Sequence, residues 1–164
     1  MRTGRPKSDF DAALPERPPG TFGLSNASRS AMLAPMPDLT VGKSYSFAQI
    51  VAAYHADPPT AGEDDQFFIL HRGEEIVALC LRHKLHPEPG EVWIEPAPAI
   101  ASWGERLAQC KGSKTVPLYY RPRNRAFFEF KGHHSVTGDT VEPAELATRK
   151  APAPLSRIVF LKKL

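Results

Sequence analysis

Apolar residues first take helical spacing in "TVGKSYSFAQIVAAYHA", where Phe47, Ile50, Val51 and Tyr54 form one stripe. Ser46 followed three residues later by Gln49 fits a capping box, so a helix is predicted from about Phe47 to His55. "DPPTAGEDD" then breaks the pattern, and two β-rich runs follow, Gln66 to His71 and Glu75 to Arg82, around Arg72-Gly73. This is a hairpin signature. Ile76 to Leu81 is apolar at every position, which predicts a central strand covered on both faces. "EVWIEPA" gives a further short strand, and "IASWGERLAQCK" places Ile100, Trp103, Leu107 and Cys110 at helical spacing, with Gly112 positioned to end a second helix that Gly104 weakens. Val116 to Arg121 and Ala126 to Phe130 read as strands joined by "RPRN", "HHSVTGD" as another short strand, and "SRIVFLKKL" as a terminal one. The expected fold class is α+β: about six or seven strands in a curved, mostly antiparallel sheet or small open barrel, with about two flanking helices.

Composition adds boundaries. At 164 residues the chain suits one domain plus tails. Residues 1–38, rich in Pro, Gly, Ser and Arg without hydrophobic periodicity, read as a flexible arm, and residues 39–164 as a single α+β domain. The N-terminus has basic residues but no apolar run behind them, and no stretch is apolar for long enough to span a bilayer. A soluble, intracellular, cytoplasmic protein without a membrane partner is therefore expected. Cys80 and Cys110 are too few for a disulfide framework and read as buried thiols.

Charge changes the picture more. Residues 111–164 hold 11 Lys+Arg against 4 Asp+Glu, a net +7, so the remaining residues carry a net −4 within the total of +3. A basic C-terminal third on a mildly acidic body points to a surface that meets a polyanion. Its densest part is "VPLYYRPRNRAFFEFKG", with two Tyr, three Phe, three Arg and a Lys in one predicted hairpin. Arginine and lysine neutralise phosphates, and planar rings stack on bases or wall a pocket for one base. In a strand alternate rings face the core, so about half of Tyr119, Tyr120, Phe127, Phe128 and Phe130 are expected to be packing.

Other chemistry is weaker. Cys80, His83 and His86 have C-x2-H-x2-H spacing, with Cys110, His133 and His134 as distant ligand candidates, but no paired CxxC knuckle is present and a strand would point Cys80 and His83 apart, so neither metal nor cofactor is expected. The acidic residues fall in "GEDD" (Gly62 to Asp65) and "EPGE" (Glu88 to Glu91), read as solvated loops rather than a nuclease centre. No nucleophile-elbow pattern accompanies the serines, and Gly42-Lys43-Ser44 lacks the strand and glycine of a phosphate-binding loop.

The order of these features resembles a poorly characterised domain of bacteria and fungi whose bacterial members often accompany restriction-type nucleases. The resemblance runs over about residues 40–138: Gly42 to Tyr45 matches its "GKSY" helix start, His86 to Glu91 its "NPDAPE"-like turn, Gln109 its helix-ending Gln, Val116 to Tyr119 its "IPVF", and Phe128 to Gly132 its "WEYVG" strand. His86 stands where that pattern has Asn and Phe128 where it has Trp, and these residues include no nuclease core. Similar curved sheets occur in SRA-like and PUA-like domains, some of which flip a base into an aromatic pocket. The resemblance implies a non-catalytic reader of modified DNA bases in a restriction, defence or DNA-maintenance setting, with a separate nuclease as a possible partner.

The residues and the resemblance together give a nucleic-acid-binding module for DNA or RNA. Arg121, Arg123, Arg125, Lys131 and Lys114 are the expected phosphate contacts, and Tyr120, Phe128, Trp103 and Gln109 the candidates for stacking on or hydrogen-bonding a base. Two alternatives stand beside it: a protein-interaction module using the basic hairpin and the Pro-rich arm, and a nucleotide- or nucleic-acid-processing enzyme with His133 or His134 as general base.

Overall fold

The computed structural model describes residues 39–57 and 68–164. The arm expected at residues 1–38, the Gly62 to Asp65 loop and the strand start expected at Gln66 lie outside them. Among the described residues, a seven-stranded mixed sheet curls into a half-barrel and carries three helices. In chain order the elements are β1 (Ser44–Tyr45), α1 (Phe47–Tyr54), β2 (Ile69–Arg72), β3 (Glu75–Arg82), β4 (Glu91–Ile94), α2 (Pro98–Gln109), β5 (Thr115–Arg121), β6 (Phe128–Thr140), α3 (Pro143–Thr148) and β7 (Arg157–Lys163). The strands lie in the order β2-β3-β5-β6-β7-β4, with β1 added along β6. All pairs are antiparallel except β3 with β5. Among the described residues no helix is long and apolar enough to cross a membrane.

Helix α1 begins as its sequence dictates. The Ser46 hydroxyl accepts from the Gln49 N–H, and the Gln49 side chain accepts from the Ser46 N–H, a reciprocal box that satisfies two otherwise orphaned donors. The β2–β3 hairpin closes at Gly73-Glu74, where Gly73 takes the positive φ of 58° at the first central position, a conformation that favours glycine.

The apolar run of β3 is covered twice, as its composition requires. Leu79 and Leu81 join a core with Val116, Leu118, Tyr120 and Val159, against which α2 packs Ile100 and Trp103. Ala78 and Cys80, one residue out of phase, join a second core with Ile50 and Tyr54 of α1 and the rings of Tyr119, Phe128 and Phe130. Burying both faces explains why four rings of the aromatic hairpin, rather than half of them, are packing. Phe127 alone, at 55% exposure, stands out in solvent.

Three details differ from the pattern-based expectation. The hairpin turn is longer, so Ala126 and Phe127 fall in the loop rather than in a strand. The runs expected as two strands, ending at Phe130 and restarting at His133, form the single strand β6, whose register shift between Val136 and Gly138 keeps it paired with β7 around the curl. The Pro143 to Pro154 region, whose clustered prolines predict a loop rather than an element interior, contains α3, with Pro143 at a first-turn position where its missing N–H costs nothing.

Candidate nucleic-acid interface

Parallel neighbours end on the same side of a sheet. Arg82, the last residue of β3, is therefore the register partner of Arg121, the last residue of β5. The pairing continues one step further through the His83 N–H, which donates to the Arg121 carbonyl at 3.0 Å. From this shared end the chain turns away twice, through His83 and Lys84 after β3 and through Pro122 to Arg125 after β5. Lys150 and Pro152, following α3, close the third side. The result is a groove of about 590 Å³ walled by Arg82, Lys84, Arg121, Arg123, Arg125 and Lys150, with Trp93 in its floor. No carboxylate is among the described residues that line it. Lys84, Arg123, Arg125 and Lys150 have no carboxylate at ion-pair distance among the described residues.

The walls are held by hydrogen bonds. Arg149 grips Glu91 with two bonds, Nη2 to Oε1 at 2.6 Å and Nε to Oε2 at 2.9 Å, and the Trp93 indole N–H donates to the same Oε2 at 2.9 Å. The guanidinium holds the Glu91 carboxyl below the usual carboxylate range. This anchors Lys150, the next residue, against the β4 side. Tyr120, at the base of the hairpin, sends its hydroxyl to the Pro87 carbonyl at 2.9 Å and the His86 carbonyl at 3.2 Å, with His83 Nδ1 2.9 Å away. Burial raises the Tyr120 hydroxyl above its ordinary value. His86 is 1% exposed, and its Nδ1 accepts the Trp93 backbone N–H at 3.0 Å. Burial lowers its pKa to about 3, keeping it neutral.

The structure splits the predicted site residues. Arg121, Arg123 and Arg125 share the groove. Lys114 lies before the opposite end of β5, roughly 20 Å along the strand, bound to Glu75 at 2.7 Å and to the Ile76 carbonyl. Gln109 lies with Lys114 in a second hollow, where Glu74, Glu75 and Glu105 match its cations. Lys131 is paired with Glu129 at 2.6 Å.

The aromatic candidates do not converge on a ligand surface. Phe128 is 1% exposed with Arg121 over its ring at 5.4 Å, so it positions a groove cation from the core. Tyr120 is 7% exposed and spends its hydroxyl on the turn. Trp103 stacks on His71 with ring centroids 4.0 Å apart, and Arg106 sits 5.1 Å from its ring.

The distant chemistries separate as well. Cys80 is fully buried in the α1-side core, where burial pushes its thiol well up, while His86 packs edge-on to Phe68, a residue of the opposite core. No group of three His, Cys, Asp or Glu that could hold a metal ion occurs among the described residues. His134 is buried and His133 exposed, as adjacent strand residues must be, and both pair with the start of β5 rather than with its arginine end.

Arg82, Lys84 and Lys150 were missed by sequence reasoning. "LRHKLH" at the end of β3 carries a local basic signal, but only the parallel pairing brings it to the hairpin arginines. Comparison of the chain with protein-family models, with curated proteins and with solved structures finds no match.

Proposed function

We propose that this chain is a nucleic-acid-binding module that holds the phosphate backbone in the groove at the joined ends of β3 and β5. The observation that carries this reading is the gathering of Lys84, Arg123, Arg125 and Lys150, none with a carboxylate at ion-pair distance among the described residues, around the joined strand ends at Arg82 and Arg121. Arginine supplies bidentate geometry to phosphate oxygens, and lysine a mobile point charge.

Phosphate contacts set affinity and register, whereas base contacts set sequence preference. Phe127, exposed at the hairpin tip two residues from Arg125, is the ring placed to stack on a base beside the groove. Reading of a modified base belongs to the same proposal as its finer form.

The test is fluorescence-polarisation titration of the protein against plain, cytosine-methylated, hydroxymethylated and adenine-methylated duplexes, single strands and RNA, at two salt concentrations. With Lys84, Arg123, Arg125 and Lys150 engaged on duplex, the log–log salt slope is about −4. Salt-sensitive binding to all duplexes supports the groove, and preference for one modified duplex that survives higher salt supports the base reader. No binding to any nucleic acid overturns the proposal and directs attention to acidic protein partners.

A further inference from the structure

His83 is the one imidazole among the described residues that line the groove. Its backbone N–H is held by the Arg121 carbonyl, and its ring Nδ1 lies 2.9 Å from the Tyr120 hydroxyl oxygen. That hydroxyl also lies 2.9 Å from the Pro87 carbonyl and 3.2 Å from the His86 carbonyl. A carbonyl can only accept, so the single hydroxyl hydrogen goes to this pair, and the hydroxyl oxygen is left to accept from His83. The neutral ring therefore carries its hydrogen on Nδ1 and its lone pair on Nε2. Nε2 has no protein partner among the described residues and is not sealed from solvent.

The ring thus places a bare acceptor in a groove built of donors. Arg82 and Lys84 flank it on its own segment, Arg121 and Tyr120 face it from β5, Arg123 and Arg125 from the hairpin tip, and Lys150 from the segment after α3. Among the described residues, Glu88 in the turn beneath acts on the Tyr120 hydroxyl, and Glu91 of β4 is taken up by Arg149 and Trp93. A phosphate lying among these cations comes within a few ångströms of Nε2, and an anion at that distance favours the charged imidazole. Protonation needs no rearrangement, since Nδ1–H still donates to Tyr120 and the new hydrogen appears on Nε2.

We propose that His83 is a proton-gated phosphate ligand: nucleic acid entering the groove takes up one proton at Nε2, which then donates to a phosphate oxygen. This rests on the nucleic-acid reading above and specifies how the same groove is tuned. Imidazoles as a class change charge between pH 5 and 8, so affinity rises as pH falls across that interval. By linkage the gain is about tenfold between pH 8 and pH 6, for one proton whose binding a neighbouring phosphate favours.

Polarisation titrations of plain duplex at about pH 6 and about pH 8, at constant ionic strength, test this with the full chain and with His83→Gln and His83→Arg. The expected result is a pH-dependent affinity for the unaltered protein, loss of that dependence with weak binding in His83→Gln, and pH-independent tight binding in His83→Arg. Far-ultraviolet circular dichroism of each variant separates lost affinity from lost fold. Binding that does not change with pH, or a pH dependence that persists in folded His83→Gln, overturns the proton-gated ligand while leaving the nucleic-acid reading intact. Absence of binding at both pH values overturns both.

Discussion

Arg149 closes a two-pronged ion pair on Glu91, with one nitrogen for each carboxylate oxygen, and thereby ties the end of α3 to the first residue of β4. Both side chains are substantially buried, and Trp93 shares the carboxylate. Glu91→Gln should cost about 1–2 kcal/mol of stability, the range for a charge-assisted bidentate pair that is partly shielded from water. Because folding lowers the Glu91 pKa, this contribution is present above the ordinary carboxylate range and is lost as pH falls through the lowered folded value. Urea denaturation at neutral and acid pH should show the gap between the two proteins narrowing on acidification.

His86 gives a second acid sensitivity at a higher pH. Unfolded chains protonate histidine from about pH 6.5 downward, whereas buried His86 stays neutral to about pH 3. Its folded value is depressed, so the stabilising difference is complete above the unfolded value and declines as pH falls from there toward about 3. The full loss is on the order of 5 kcal/mol as an upper bound. Denaturation midpoints followed from pH 7 to pH 4 should fall steadily, and His86→Gln should flatten that slope while lowering stability at pH 7.

Gly104 of α2 packs against Ile94 of β4, where an added Cβ would come within 2.7 Å of Ile94 Cγ2 and 2.8 Å of its Cγ1. Ile94 is fully buried. In an exposed helix Gly→Ala stabilises by about 1 kcal/mol, but here overpacking dominates. Gly104→Ala should lower stability by about 1–3 kcal/mol, measured by thermal or urea unfolding; a gain would show that α2 shifts freely.

Cations in the groove and cations outside it should behave differently. Arg123→Ala and Arg125→Ala should each reduce the magnitude of the salt slope by about 1 with little change in stability. Lys114→Ala and Lys131→Ala, whose charges are taken by Glu75 and Glu129, should leave nucleic-acid affinity within about twofold. Equal effects from all four would disperse the interface over the whole basic third of the chain.

Local rules made much of this fold legible before any coordinates. The Ser46–Gln49 box, the apolar β3 run, the Gly73 turn and the α2 spacing each act over a few residues and reappear at or near their predicted positions. The site was half legible. Arg121, Arg123 and Arg125 declare themselves by density, whereas Arg82, Lys84 and Lys150 reach them only through the β3–β5 pairing and the Glu91–Arg149 tie, which no local pattern encodes. The rings misled for the same reason. Alternation assigns half of a strand's side chains to solvent only when one face is open, and here Tyr119 and Tyr120 enter different cores on opposite faces.

The parallel register of Arg82 with Arg121 also has a kinetic meaning. The β2–β3 hairpin can form from neighbouring residues, but β5 reaches β3 only after the chain has made β4 and α2 and returned. Closing such a long crossover is entropically slow compared with a hairpin. A nascent chain that has emerged only as far as α2 carries the first half of the groove without the second. The paired arginine ends thus mature late, and the groove is complete only once its sheet is assembled.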